Sequence, residues 1–131
     1  MGNYFQKEIE CASADQIRAW QNERLVKQVK NIYDNVPYYR TRMQNKGLEP
    51  GDIKSIDDLH KLPFITKDDL RDAYPYGLLA RPLKDCVRMQ STSGTTGRRV
   101  VAFYTQHDLD LWEDCCARAI VAAGGTKEDG V

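Results

Sequence analysis

The sequence has no surplus of either charge: 19 Lys plus Arg stand against 19 Asp plus Glu in 131 residues, for a formal net charge of zero. A chain so balanced carries no basic footprint for a polyanion, and no nucleic-acid partner is expected. No apolar run is long enough to span a bilayer, so no membrane partner is expected either. Residues 1 to 10 lack the apolar centre of a signal peptide. Cysteine is scarce, at positions 11, 86, 115 and 116, and none of the four forms a C-x-x-C pair. Neither His60 nor His107 stands at a ligand spacing from them, so no metal site is expected. The cysteines are read as reduced, small apolar residues, and the setting as cytoplasmic. There is no internal repeat and no low-complexity segment.

What is present fits about one small domain with a modest core. Residues 1 to 85 read as mainly helical. Ser13 with Gln16 makes a capping-box pattern, and a helix is expected from there to Val36, stopped by Pro37. Ile17, Leu25, Val29, Ile32 and Val36 share one face at helical spacing, with Trp20 near it, and that face is read as core. Pro37 opens a second short helix that Gly47 ends. Leu48 to Lys54 reads as a turn around Pro50-Gly51. Ser55 caps a third helix to about Leu62, and Thr66 a fourth, closed by Tyr74-Pro75. The acids of these first turns could be taken for a catalytic pair. Their position at helix starts makes them caps instead.

Residues 86 to 131 change character. Cys86 to Gln90 alternates, with Val87 and Met89 on one side, as a half-buried strand does. Val100 to Tyr104 is apolar throughout, as expected for a strand covered on both faces. The two should form a hairpin-like pair. Thr105 to Asp108 then cap a long helix whose apolar stripe is Leu109, Trp112, Cys116, Ala119, Ile120 and Ala123, ended by Gly124-Gly125. At most one of Cys115 and Cys116 can face the core. His107 is read as part of a solvated helix start, with no partner for general-base work.

Between the two strands lies the most informative stretch, Gln90-Ser91-Thr92-Ser93-Gly94-Thr95-Thr96-Gly97-Arg98-Arg99. Its glycines can take positive φ and let a ligand approach the backbone. Successive N–H groups in such a loop form an anion nest, the hydroxyls add donors, and the arginines add charge and forked hydrogen bonds. Such clusters between strands are commonly plain turns. Neither the Walker A spacing nor the dinucleotide G-x-G-x-x-G pattern is met. The reading from the residues is a loop that grips a polyphosphate.

Thr92-Ser93-Gly94-Thr95-Thr96-Gly97 resembles the phosphate loop of the adenylate-forming acyl-CoA synthetase superfamily, with Arg98 as the cation after the last glycine. Arg99 replaces the usual proline, and Val100 replaces a frequent second lysine. Within the superfamily the chain is most similar to the phenylacetate-CoA ligase family. That likeness is carried by Val36-Pro37-Tyr38-Tyr39-Arg40, Leu59 through Arg71, Tyr74 through Leu78, and Tyr104-Thr105-Gln106 with Asp108-Leu109. It covers nearly all of the chain from about Asp15.

The resemblance implies an α/β fold: N-terminal helices, then a β-loop-β-α unit, the beginning of one larger N-terminal domain. It implies a ligase that makes acyl-AMP from ATP and an aryl acid, then acyl-CoA, with magnesium and coenzyme A. Thr92, Ser93, Gly94, Thr95, Thr96, Gly97 and Arg98 would bind the ATP phosphates, and no catalytic residue is assigned. Family members are several times longer, so the expectation is an N-terminal fragment, incomplete as a domain and inactive alone. Apolar faces left without neighbours should make it self-associate. The alternatives are a non-catalytic nucleotide- or polyphosphate-binding module, or a helical interaction module whose loop is only a turn.

Overall fold

Side-chain caps decide where most of the helices begin. In the computed structural model, which describes residues 3–94 and 99–129, helix α2 spans Ala14–Asn35. The Ser13 hydroxyl accepts from the Gln16 amide at 3.3 Å, while the Gln16 side chain accepts from the Ser13 amide at 3.0 Å. Two of the four unpaired N–H groups of the helix start are thereby satisfied. The same reciprocal pattern opens α4 (Lys67–Asp72) through Thr66 and Asp69, and α5 (Gln106–Ala122) through Thr105 and Asp108. A single turn, α1 (Lys7–Glu10), precedes them and was not anticipated. It is closed by the Glu10 carboxylate accepting from the Gln6 amide at 2.7 Å, a contact too local to leave a periodic signal.

α2 stops at Val36, which is extended at φ −117°, ψ 93°, the conformation a following proline favours. Pro37 then opens α3 (Pro37–Asn45) at the position where a missing N–H costs nothing. Arg40 of α3 turns back across this corner. Its Nε donates to the carbonyl of Tyr33 at 2.7 Å and its Nη2 to that of Asp34, so the last carbonyls of α2 are capped. The residues after Ser55 form a 3-10 helix, Ile56–Lys61, rather than the expected α-helix. Six residues between the cap and Leu62-Pro63 leave little room for i→i+4 bonds, and the tighter winding fits the short span. A shorter 3-10 turn, Pro50–Asp52, occupies the predicted turn.

The core lies where α2, α3 and the segment after Pro50 meet. Val29, Met43 and Ile53 are essentially inaccessible, and Leu25, Tyr33, Tyr39, Leu48 and Leu62 pack around them. Val36 is buried at the corner. The apolar stripe read along α2 is therefore core only in its C-terminal half. Ile17 and Trp20 are exposed, at 41% and 36%. The reason is positional: α3 folds back over the end of α2 and does not reach its first turns.

One carboxylate ties α3 to α4. Asp69 accepts from the Tyr38 hydroxyl at 2.6 Å, from the guanidinium of Arg42, and from the amide and hydroxyl of Thr66 at 2.7 and 2.8 Å. The Tyr38 bond foremost, and the Thr66 bonds next, hold its carboxyl down to about 2. So Asp69 is a cap, as read, and also a junction between elements. After α4 the chain winds through residues 73–78. Gly77 donates to the Ala73 carbonyl at 2.8 Å. A Cβ added at Gly77 would lie 2.8 Å from that same oxygen, so the close approach of the two backbones requires glycine there.

Strands β1 (Cys86–Ser91) and β2 (Val101–Thr105) pair antiparallel, as anticipated, with Met89 opposite Phe103 and Ser91 opposite Val101. A bulge lies between Cys86 and Arg88. Opposed residues share a face. The Phe103 face is met by Tyr76, ring centroids 5.5 Å apart, and the Tyr104 face by Trp112 of α5, at 5.6 Å. All five β2 residues are half-buried, so β2 has a neighbour on each side, as its sequence suggested.

β1 departs from expectation. Five of its six residues are exposed, Val87 and Met89 at 58% and 64%. α5 holds no buried residue, and Trp112 and Ile120 of its stripe remain exposed. Cys11, Cys115 and Cys116 are also exposed and Cys86 is half-buried, so the cysteines are not core residues. These side chains have the right period but no facing element among the described residues.

Candidate functional site

The loop between the strands leaves the ladder at Thr92. Past the Ser91–Val101 pair, the Thr92 amide donates to the Val100 carbonyl at 3.0 Å. The return bond is unusual: the Val100 amide donates to the Thr92 hydroxyl, at 3.1 Å. Thr92 and Val100 together form the neck from which the loop projects. Two residues on, Gly94 stands at φ +71°, in the left-handed region that only glycine enters without strain. Of the two loop glycines read as able to take positive φ, Gly94 does so, and Gly97 lies outside the described residues. Ser93 and Arg99 are exposed on either side of the loop mouth. Of the predicted phosphate-binding residues, the structure brings Thr92, Ser93 and Gly94 together at one end of the hairpin. Thr95, Thr96, Gly97 and Arg98 lie outside the described residues. Val100 was missed as a loop-closing residue. A bulky β-former directly after the loop was the available signal.

Beneath the hairpin runs a groove of about 1420 Å³. Arg24 of α2, Leu78, Arg81, Val100 and Phe103, with His107 from the first turn of α5, are among the residues that line it. The sequence alone did not connect α2 with this place, because the two are more than 70 residues apart. Asp108 also faces the groove, with its carboxyl held below the usual range. The Thr105 hydroxyl is the main cause, the Thr105 amide the next, and the charges of His107 and Arg81 add to them. Its oxygen accepts from both Thr105 groups, at 2.7 and 2.8 Å, so its work is capping α5. His107 is exposed at the helix start, as read. Among the described residues no group of three His, Cys, Asp or Glu could hold a metal ion. No helix among them is long and apolar enough to cross a membrane.

A hairpin tip with a left-handed glycine, followed by a capped helix, can present backbone N–H groups and hydroxyls to an anion. Comparison with known proteins shows what the chain is similar to. Over 123 residues, 94% of its length, the chain is 49% identical to phenylacetate-coenzyme A ligase of Pseudomonas putida. The chain matches one part of a phenylacetate-CoA ligase. It is likewise 48% identical to the phenylacetate-coenzyme A ligase of Aromatoleum evansii and 44% identical to that of Escherichia coli, over the same share of the chain. In each case the matched residues amount to 28% of the relative, so the chain spans little more than a quarter of these ligases.

No protein-family model matches the chain. Among solved structures, a 2-hydroxyisobutyryl-CoA ligase with 2-HIB-AMP and CoA superposes with a TM-score of 0.80 at 25% identity. The match covers 90% of this chain and 26% of that one. The same ligase in its postadenylation state superposes at 0.75, with 22% identity, over 86% of this chain and 24% of that one. The helices and hairpin thus reproduce the N-terminal part of an adenylate-forming CoA ligase fold, the α/β class expected from the sequence.

Proposed function

We propose that these 131 residues are the phosphate-gripping, N-terminal part of one larger adenylate-forming domain in a cytoplasmic, ATP-dependent phenylacetate-CoA ligase. Identity of 40–49% to phenylacetate-coenzyme A ligases across almost the whole chain carries this reading. The Gly94 conformation at the loop supports it.

In the proposed reaction a carboxylate oxygen of the aryl acid attacks the α-phosphorus of ATP. The bond to the bridging oxygen breaks, and pyrophosphate leaves with the charge. Thr92, Ser93, Gly94, Thr95, Thr96 and Gly97 would hold the β- and γ-phosphates, and Arg98 would supply positive charge. Donors fixed before the reaction stabilise the growing charge without reorganising, and a triphosphate held still is already aligned for attack. Coenzyme A thiol then attacks the acyl carbon of the acyl-AMP, loses its proton and expels AMP. Magnesium would arrive with ATP. Among the described residues no cluster of three His, Cys, Asp or Glu fits it. The acid, adenine and coenzyme A sites belong, in this reading, to the three-quarters of the relatives that the chain does not match.

Two measurements test this. Calorimetric titration of the chain with pyrophosphate should show binding that saturates, and a flat titration would sink the grip. Labelled pyrophosphate should not exchange into ATP when the chain is given phenylacetate. Clear exchange would show that the missing sites are not needed. The exposed Val87, Met89, Trp112 and Ile120 further favour self-association of the chain. Sedimentation that stays monomeric as concentration rises would count against it.

A further inference from the structure

In a regular antiparallel ladder every second facing pair exchanges both backbone bonds, amide to carbonyl in each direction. At Thr92 and Val100 only one of these is made. The Thr92 amide donates to the Val100 carbonyl at 3.0 Å, but the Val100 amide donates to Thr92 Oγ1 at 3.1 Å. The side-chain oxygen has taken the place of its own residue's carbonyl. Local side-chain bonds of this kind compete with secondary structure and can end it. Here the ladder stops at Ser91, while the mouth of the loop is still held at a fixed width. Thr92's carbonyl is released from the ladder, and the chain can diverge toward Gly94 at φ +71°.

We infer that Thr92 is a positioning residue: its hydroxyl, acting as acceptor for Val100, forks the loop from the hairpin and so aims Ser93 and Gly94. This rests on the reading of the loop as a phosphate grip, and it changes the part Thr92 plays in it. A threonine hydroxyl has one hydrogen to donate and two acceptor lone pairs, and the Val100 amide engages one of the lone pairs. The requirement at position 92 is therefore an acceptor oxygen on a short side chain. Serine meets it. Valine has the same shape and does not.

The test compares wild type, T92S and T92V in the 131-residue chain. Thr92 is exposed and remote from Val29, Met43 and Ile53, so valine leaves the core untouched. Amide exchange of Val100 should match wild type in T92S and be roughly fivefold faster in T92V, the effect of losing one ordinary hydrogen bond. Unchanged exchange in T92V would overturn the inference whether or not the loop binds phosphate. Pyrophosphate titration should give T92S an affinity within about twofold of wild type, with T92V at least roughly fivefold weaker. Equal affinity in wild type and T92V, or equal loss in T92S and T92V, would also overturn it. If wild type binds no pyrophosphate, the phosphate reading fails, and the Val100 exchange still decides the fork.

Discussion

The helical first two-thirds of the chain and the hairpin with α5 are built on different terms. In the first, Met43, Val29 and Ile53 close a small core, and Asp69 links α3 to α4 through Tyr38, Arg42 and Thr66. In the second, no described residue is buried, and order comes from the ladder, the Thr105–Asp108 cap and two ring contacts. Local hydrogen bonds are enough to define strand and helix, but they leave Met89 and Ile120 in water. The lesson is that secondary structure and burial are separable. A segment can have every local signal for its conformation and still lack the surface that its side chains were chosen to meet.

The strongest way to break this contrast is to empty the core. Met43→Ala should cost about 2–5 kcal/mol in urea unfolding, because a fully enclosed side chain is removed. A loss under 1 kcal/mol would mean that the first region is not held by this cluster. Next comes the left-handed turn: Gly94→Ala should strain the hairpin tip by about 1–2 kcal/mol. It should weaken pyrophosphate binding while leaving the exchange of α2 and α3 amides unchanged. Equal binding by Gly94→Ala would argue against a loop shaped for an anion.

Acid sharpens the contrast further. Folding lowers the carboxyls of Asp69 and Asp58 from 3.8 to about 2, Asp69 chiefly through Tyr38 and Asp58 chiefly through Lys61. A group that holds its proton less tightly when folded adds stability that is complete above its unfolded pKa. That stability is lost as pH falls through the folded value. The helical region should therefore loosen between about pH 4 and 2, and Asp69→Asn should flatten that part of the profile. An unchanged profile in the variant would remove Asp69 from the account. The smallest effect is expected at β1, where Met89→Ser should stay within about 0.5 kcal/mol, since an exposed side chain loses little.

How much of this was legible follows from the range of the forces involved. Ser13, Ser55, Thr66 and Thr105 were read correctly as caps because their partners lie within three residues. The stop at Val36 before Pro37 and the pairing of two strands around the loop were local in the same way. Trp20, Cys116 and Ile120 were placed in a core by their period alone, and the period does not say whether a neighbour exists. The order of residues in the loop pointed to a superfamily, and segments such as Leu59 through Arg71 pointed to one branch of it. The exchange of a hydroxyl for a carbonyl at Thr92 could not be read, because any Thr-to-Val pairing across a hairpin looks the same in sequence. The Asp69 junction was half legible: the cap was seen, but Tyr38 lies 31 residues away.

Gly77 gives the two regions a mechanical link. Its hydrogen sits where even one methyl would press on the Ala73 oxygen, so the bend over residues 73–78 has no slack. That bend carries Tyr76, whose ring leans on Phe103 of the hairpin. Exchanging one hydrogen atom for carbon on the helical side would therefore lever the floor out from under the strands. A lesion outside the loop would then reach it without touching any of its residues.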